Sequence, residues 1–447
     1  MSKSRGNVVN PWDHFNKEGT DAIRWYMTSQ SAPWNPMNFD PNGVRETYAK
    51  MFLTLWNVHK FHLDYAILDN FDYNKDFITV DKRNALDRWI LSRVSTVAEN
   101  YHNQYVSWEF HKAARELENF VINDLSNWYV RRSRRRLWDE ADSHDKQACQ
   151  FTLHEVLLTV SKLMAPVAPY MPDKIPFDLT GTSVHMADWP IGSDLVSKDL
   201  PPQDLDLENR MSIVRMLAET GRKIRVEAKR RQRLPCKEGW IVGGPDLSEF
   251  HSIIAEELNV EKLTTENNLD RFQKIEILPN HKILGAKCRA ELPKVLSELS
   301  QSEPDVLLSE IKEGKAKLAG FDITMEDINI KRVEKEGYAA STFDMEEIGD
   351  ISLVLDVEIT EDLISKGLAR EITRRIQSKR KELDLDLEAS ISLKVWLEQD
   401  SPKLNKEDWE YIISETRSKP AELIIGDCDE GMDNFQVEDN KIYFKVD

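Results

Sequence analysis

Between residues 43 and 169 the apolar positions step by three and four. Val44, Tyr48, Met51, Leu55, Val58 and His62 form one stripe, and Leu86, Trp89, Ile90, Val94 and Val97 a second. Phe110, Ala114, Leu117, Val121, Leu125 and Trp128 form a third. Phe151, His154, Val156, Leu157, Val160, Leu163 and Met164 form a fourth, which stops at Pro166 and Pro169. Such spacing turns one face of each segment toward a core, so the pattern predicts four long amphipathic helices. Their connections are modest, the polar stretch 69–82 among them, which suggests an antiparallel bundle. Trp128 continues its stripe and is expected in the core.

The segments on either side read differently. The first forty-odd residues are dense in turn signals (Asn10-Pro11, Ala32-Pro33, Asn35-Pro36, Asp40-Pro41-Asn42-Gly43), with a short helical pattern between Asp13 and Ser29. Residues 191–205 are rich in Pro, Ser and Asp and read as a linker. Beyond it a basic helix at about 207–232 leads to short β-like runs at 240–242 and 274–277, with helices near 251–258 and 289–299. A second mixed stretch holds 328–330, 351–359, a helix over 361–383, a strand over 391–397, a helix over 406–417 and a hairpin-like end at 435–446. The chain is therefore expected to be multidomain. A mainly α-helical bundle (43–190) follows a loop-and-helix segment (1–42) and precedes α+β subdomains at 206–300 and 301–447.

Composition narrows the class. Of 447 residues, 40% are hydrophobic and 31% charged, and no apolar run reaches the ~18 residues of a spanning helix. Membrane association is not expected. The four cysteines are far apart, which gives neither a zinc spacing nor a disulfide framework. No zinc is expected, and a reducing cytoplasm is the expected setting. A net charge of -18 argues against a polyanion partner only until its distribution is considered. Residues 131–136 hold five arginines and no acid. Residues 222–233 hold seven basic residues against Glu227, and 370–382 hold six against Glu371 and Glu382. These stripes keep nucleic acid open as a partner.

Two segments carry candidate chemistry. The opening Met1-Ser2-Lys3-Ser4 places a lysine between two hydroxyls ahead of Gly6, a pattern suited to a loop that holds phosphate. A frayed polar terminus is the bland alternative. In Asn127–Trp138, Arg131 and Arg135 share one helix face and Arg132 and Arg136 another, with aromatics interleaved. That suits RNA phosphates and bases, while a solvated helix end favoured by its dipole is the competing reading. The other two basic segments read first as solvated helix faces. The ten histidines show no metal-ligand spacing.

Taken in order, several stretches resemble one family. Met1-Ser2-Lys3-Ser4 is similar to the last four residues of the Lys-Met-Ser-Lys-Ser loop of isoleucyl-tRNA synthetases, which are class I enzymes. Residues 19–34 (GTDAIRWYMTSQSAPW) resemble the segment after that loop. NWYVRRSRRRLW (127–138) and SVHMADWP (183–190) resemble the anticodon-binding bundle, and 367–391 resembles the C-terminal region. The isoleucine assignment rests on Arg24-Trp25-Tyr26, Ser31-Ala32-Pro33-Trp34 and the long α+β tail. Without paired cysteines the chain resembles the archaeal and eukaryotic type. A valyl enzyme, or a free-standing tRNA-binding module, is the rival.

The resemblance implies a parent enzyme that activates isoleucine with ATP and Mg²⁺ and transfers it to tRNA(Ile). Lys3 would be catalytic, with Ser2, Lys3 and Ser4 at ATP, and Arg131, Arg132, Arg135 and Arg136 on tRNA. A cytoplasmic monomer is implied. No His-Ile-Gly-His signature occurs in the chain, and the family's nucleotide-binding sheet would precede it. This chain alone is therefore expected to be inactive.

Overall fold

A computed structural model of the chain describes residues 9–75, 77–138, 143–191, 200–345, 348–386, 389–399, 401–426, 432–437 and 440–446. The chain divides into two compact units, one up to Ser212 and one from Ile213 onward.

The four stripes become the helices of the first unit. Leu53–Leu68 carries the first stripe, continuing from Pro41–Thr47 and a π-helical turn at Tyr48–Phe52. Ala85–Val106 carries the second and His144–Met164 the fourth. The third stripe is one continuous run in three parts, Phe110–Asn119, Phe120–Val130 and Arg131–Trp138, whose middle part is π-helical. Helix starts sit where side chains satisfy free backbone donors. Asn84 accepts from the Asp87 N–H, and Ser143 from the Lys146 N–H. Leu117, Val121, Leu125, Val160 and Leu163 are fully buried, and Trp128 is 5% exposed, as the periodicity requires.

Polar ties organise the two ends of this bundle. At one end the helix Thr20–Ser29 is anchored. Arg24 Nε donates to the Val167 carbonyl at 2.6 Å, Arg115 Nε to the Ser29 carbonyl at 2.6 Å, and Asp21 accepts from the Met171 N–H at 2.7 Å. At the other end Lys146 Nζ bonds Asp69 at 2.7 Å and Asn84 Nδ2 bonds Asp145 at 2.9 Å. The arginine-rich segment ends there too. Among the described residues, no helix is long and apolar enough to cross a membrane.

The second unit is α+β. The division falls inside the basic helix Leu205–Glu227, downstream of the Pro-rich stretch. Strand Cys236–Val242 pairs parallel with Val260–Glu266 and antiparallel with Gly349–Asp356, which pairs with Tyr338–Met345. This sheet draws strands from both sides of residue 300. Strand pairing is a long-range choice that local pattern does not encode. Between these strands lies a lobe with its own core, Leu284, Val295, Leu299, Leu307 and Ile311 among others, beside the antiparallel pair Gln273–Pro279 and Ile328–Glu334. The last sheet runs Ser418–Ile425, Ile391–Leu397, Asn440–Val446, Asp433–Val437. Helices Glu361–Glu382 and Lys406–Thr416 share its core through Ile372, Ile376 and Ile412 against Leu393, Val395 and Ile442.

Candidate nucleic-acid interface

The helix Arg131–Trp138 sorts its arginines into three environments. Ser133 and Leu137, four residues apart, are buried and define the inward face. Arg131, Arg134 and Arg135 are exposed. Arg131 Nε donates to the Asn127 carbonyl at 3.0 Å, and its guanidinium lies 6.0 Å from the Trp128 ring. Arg132 is half-buried, 5.6 Å from the same ring. The buried indole thus forms a floor under two guanidinium groups.

Arg136 is placed differently. Its two terminal nitrogens bind Asp87 at 2.8 and 2.7 Å, and its Nε binds Asp145 at 2.7 Å. The Asp87 side chain is fully buried, so a lone carboxylate there would be very costly; the fork of Arg136 offsets that cost. Burial works against the charge on Arg136, but Asp87 outweighs it and pushes the pKa further up, so the residue stays cationic. Tyr129 donates to Asp87 at 2.6 Å; burial, and then that carboxylate, hold its phenol well above its ordinary pKa. Cys149 beside them is pushed up to about 11 by burial, which keeps the thiol inert. Arg132 and Arg136, expected to share an RNA-facing stripe, therefore sit at the edge of the core, while the outward face carries Arg131, Arg134 and Arg135. Arg134 was left out of the sequence-based set. Its position one residue past the buried Ser133 is the signal that separates it from that face.

The run 222–233 has a use that neither sequence reading anticipates. Arg225 is 1% exposed and donates to the carbonyls of Leu258, Asn259, Arg231 and Leu234, at 2.7 to 3.2 Å. It gathers the turn after its own helix onto the end of the helix His251–Leu258. Arg222 pairs with Glu257 at 3.2 Å, and Arg230 Nε donates to the Val357 carbonyl at 2.8 Å. In the run 370–382, Arg380 is buried and donates to the Thr416 and Asp386 carbonyls. The fold joins these two basic runs, since Arg233 pairs with Glu371.

Ser2, Lys3 and Ser4 lie outside the described residues. Among the described residues, no group of three or more His, Cys, Asp or Glu side chains could hold a metal ion.

Residues 87–239 match the family model described as the anticodon-binding domain of tRNA ligase. The chain is 34% identical over 404 residues to the isoleucine–tRNA ligase of Clostridium acetobutylicum, covering 88% of this chain and 38% of that protein. It is 36% identical over 408 residues to the isoleucine–tRNA ligase of Methanocaldococcus jannaschii, covering 88% of this chain and 37% of that one. A solved leucyl-tRNA synthetase from Agrobacterium radiobacter K84, in a ternary complex with tRNA, is similar with a TM-score of 0.34 and 17% identity, over 46% of this chain and 23% of that one. Residues 87–239 are thus similar to the anticodon-binding domain of tRNA ligases. More narrowly, the chain is similar to isoleucine–tRNA ligases, and it spans about 38% of the length of the curated relatives it matches.

Proposed function

We propose that this chain supplies the anticodon-arm-binding part of an isoleucine–tRNA ligase. The observation that carries the reading is the identity to isoleucine–tRNA ligases across 88% of the chain, including the anticodon-binding domain match at 87–239. In this reading the partner is tRNA(Ile), and the complete enzyme uses ATP with Mg²⁺ to form an isoleucyl-adenylate. The protein acts as a cytoplasmic monomer. Lys3 would place an ammonium against charge developing on the leaving pyrophosphate, with Ser2 and Ser4 bonding phosphate oxygens. The residues present here would not activate isoleucine by themselves.

At the bundle, Arg131 and Arg135 would contact backbone phosphates. Arg132, over Trp128, would support them. Arg136, bound to Asp87 and Asp145, would enter the reading as the residue that positions the helix. Phosphate contacts release counterions, so affinity should fall steeply with salt. The test is tRNA(Ile) affinity of the chain across a salt series. Arg131→Ala and Arg135→Ala should each lower the salt slope by about 1. A chain that binds no tRNA, or variants with unchanged affinity and slope, would overturn this reading of the helix.

A further inference from the structure

The two basic runs of the second unit are far apart in sequence, and each alone reads as a solvated helix face. The fold brings them together on one carboxylate. Glu371 is 8% exposed and receives Arg233, Arg374 at 3.3 Å and Arg375 at 3.2 Å. Three guanidinium groups thus converge on one negative charge, which leaves a local excess of two positive charges. The side chains of Arg233, Arg374 and Arg375 are 48%, 47% and 41% exposed. Each presents one nitrogen to Glu371, out of the five N–H donors of a guanidinium group.

The cluster is also held in place. Gly367, one turn before Glu371, lies so close to the turn after the basic helix that an added Cβ would stand 3.1 Å from Leu234 Cδ1 and 3.4 Å from Leu234 Cα. That close approach seats Arg233 beside Glu371. Arg375 lies 5.3 Å over the Phe435 ring. Further along the same helix, Lys379 meets Glu382 and Asp433, so the excess positive charge is bounded on that side. Burial works to raise the pKa of Glu371, but Arg233 and Arg374 outweigh it and hold the carboxyl below its ordinary value. The carboxylate therefore stays ionised and keeps the three cations gathered at neutral pH.

We propose that Arg233, Arg374 and Arg375, gathered by Glu371, form a second phosphate-binding surface of this chain, which takes the sugar–phosphate backbone of tRNA independently of the arginine helix. Guanidinium groups suit this because their forked donors match phosphate oxygens, and partial pre-ordering on Glu371 lowers the entropy lost on binding. The proposal rests on the tRNA-binding reading above. It differs from a structural ion-pair cluster in one sign: the carboxylate is an organiser that also competes with phosphate.

The test uses the full chain and fluorescently labelled tRNA(Ile), with affinity read by anisotropy across a salt series. Arg374→Gln with Arg375→Gln should weaken binding and lower the salt slope by about 1 per arginine. Glu371→Gln should do the reverse, tightening binding and steepening the slope by up to about 1. A structural cluster would lose thermal stability in Glu371→Gln and gain no affinity. A chain that binds tRNA with the same affinity and slope in the arginine pair variant overturns this proposal alone, and leaves the surface to an acidic protein partner. A chain that binds no tRNA overturns both readings. Should Glu371→Gln fail to fold, the arginine pair decides, because both side chains are half-exposed and their loss leaves Glu371 with Arg233.

Discussion

Arg136 in the helical unit and Arg225 in the α+β unit are both withdrawn from solvent, by opposite means. Arg136 meets two carboxylates, Asp87 and Asp145. Arg225 meets backbone carbonyls of four residues. The first arrangement joins two helix termini through charge. The second uses one side chain to satisfy carbonyls at a helix end and a turn, where backbone partners have run out. The direction of the pKa follows. Asp87 pushes Arg136 up against the effect of burial, whereas burial pulls Arg225 down, with no carboxylate among the described residues bonded to it. A run of basic residues can thus hide a member whose function is architectural, and its charge alone does not reveal which.

The largest expected effect is on the helical unit. Arg136→Ala leaves Asp87 buried without its partner and should destabilise that unit by about 3–5 kcal/mol. Hydrogen exchange read separately for the two units should show faster opening of the bundle and no change beyond Ile213. Equal acceleration in both would break the contrast. Arg225→Leu should cost on the order of 2–3 kcal/mol, confined to the second unit, because the carbonyls it served lose charge-assisted donors. Recovery by Arg225→Lys would show that the fork does not matter there; we expect little recovery, since an ammonium cannot span those four acceptors.

Histidine offers a third way to bury a base, by giving up the proton. His62 is fully buried, and burial, with some help from His154, holds its pKa down to about 3; burial holds His154 at about 4. His154 stacks on Tyr73 with ring centroids 4.2 Å apart. In the unfolded chain both take up a proton near their ordinary pKa, while the folded state resists it. Stability should therefore be flat above about pH 6.5 and fall below it. The slope should reach up to about 1.4 kcal/mol per pH unit for each histidine until the folded pKa is reached. Urea unfolding of the helical unit between pH 7 and 4.5 checks this. His62→Leu should reduce the slope, and an unchanged slope would exclude His62 as the source. The smallest effect is expected for Arg131→Ala and Arg135→Ala, whose side chains are exposed. Stability should stay within about 0.5 kcal/mol while the salt dependence of tRNA binding changes.

Much of the bundle was legible in the chain. The steps of three and four from Phe110 to Trp128 forecast a buried stripe, and every member from Leu117 to Leu125 is fully buried. Helices and strands with strong local patterns, such as His251–Leu258 and Ile391–Leu397, fall on the residues expected. Strands with weaker alternation, such as Tyr338–Met345 and Ser418–Ile425, were not distinguished from loop, because their identity comes from the neighbours they pair with.

The amino-acid sequence by itself determined which segments form amphipathic helices, where basic charge is concentrated, and the resemblance that runs along the chain. Those properties are local, written in periodicity, composition and motif order. Only the tertiary structure decided what each arginine does. Arg136 faces Asp87, Arg225 faces carbonyls, and Arg233 meets Arg374 and Arg375 on Glu371. An arginine's role depends on which distant acceptor the fold carries to it, and a guanidinium group bonds a carboxylate, a carbonyl or a phosphate with the same donors.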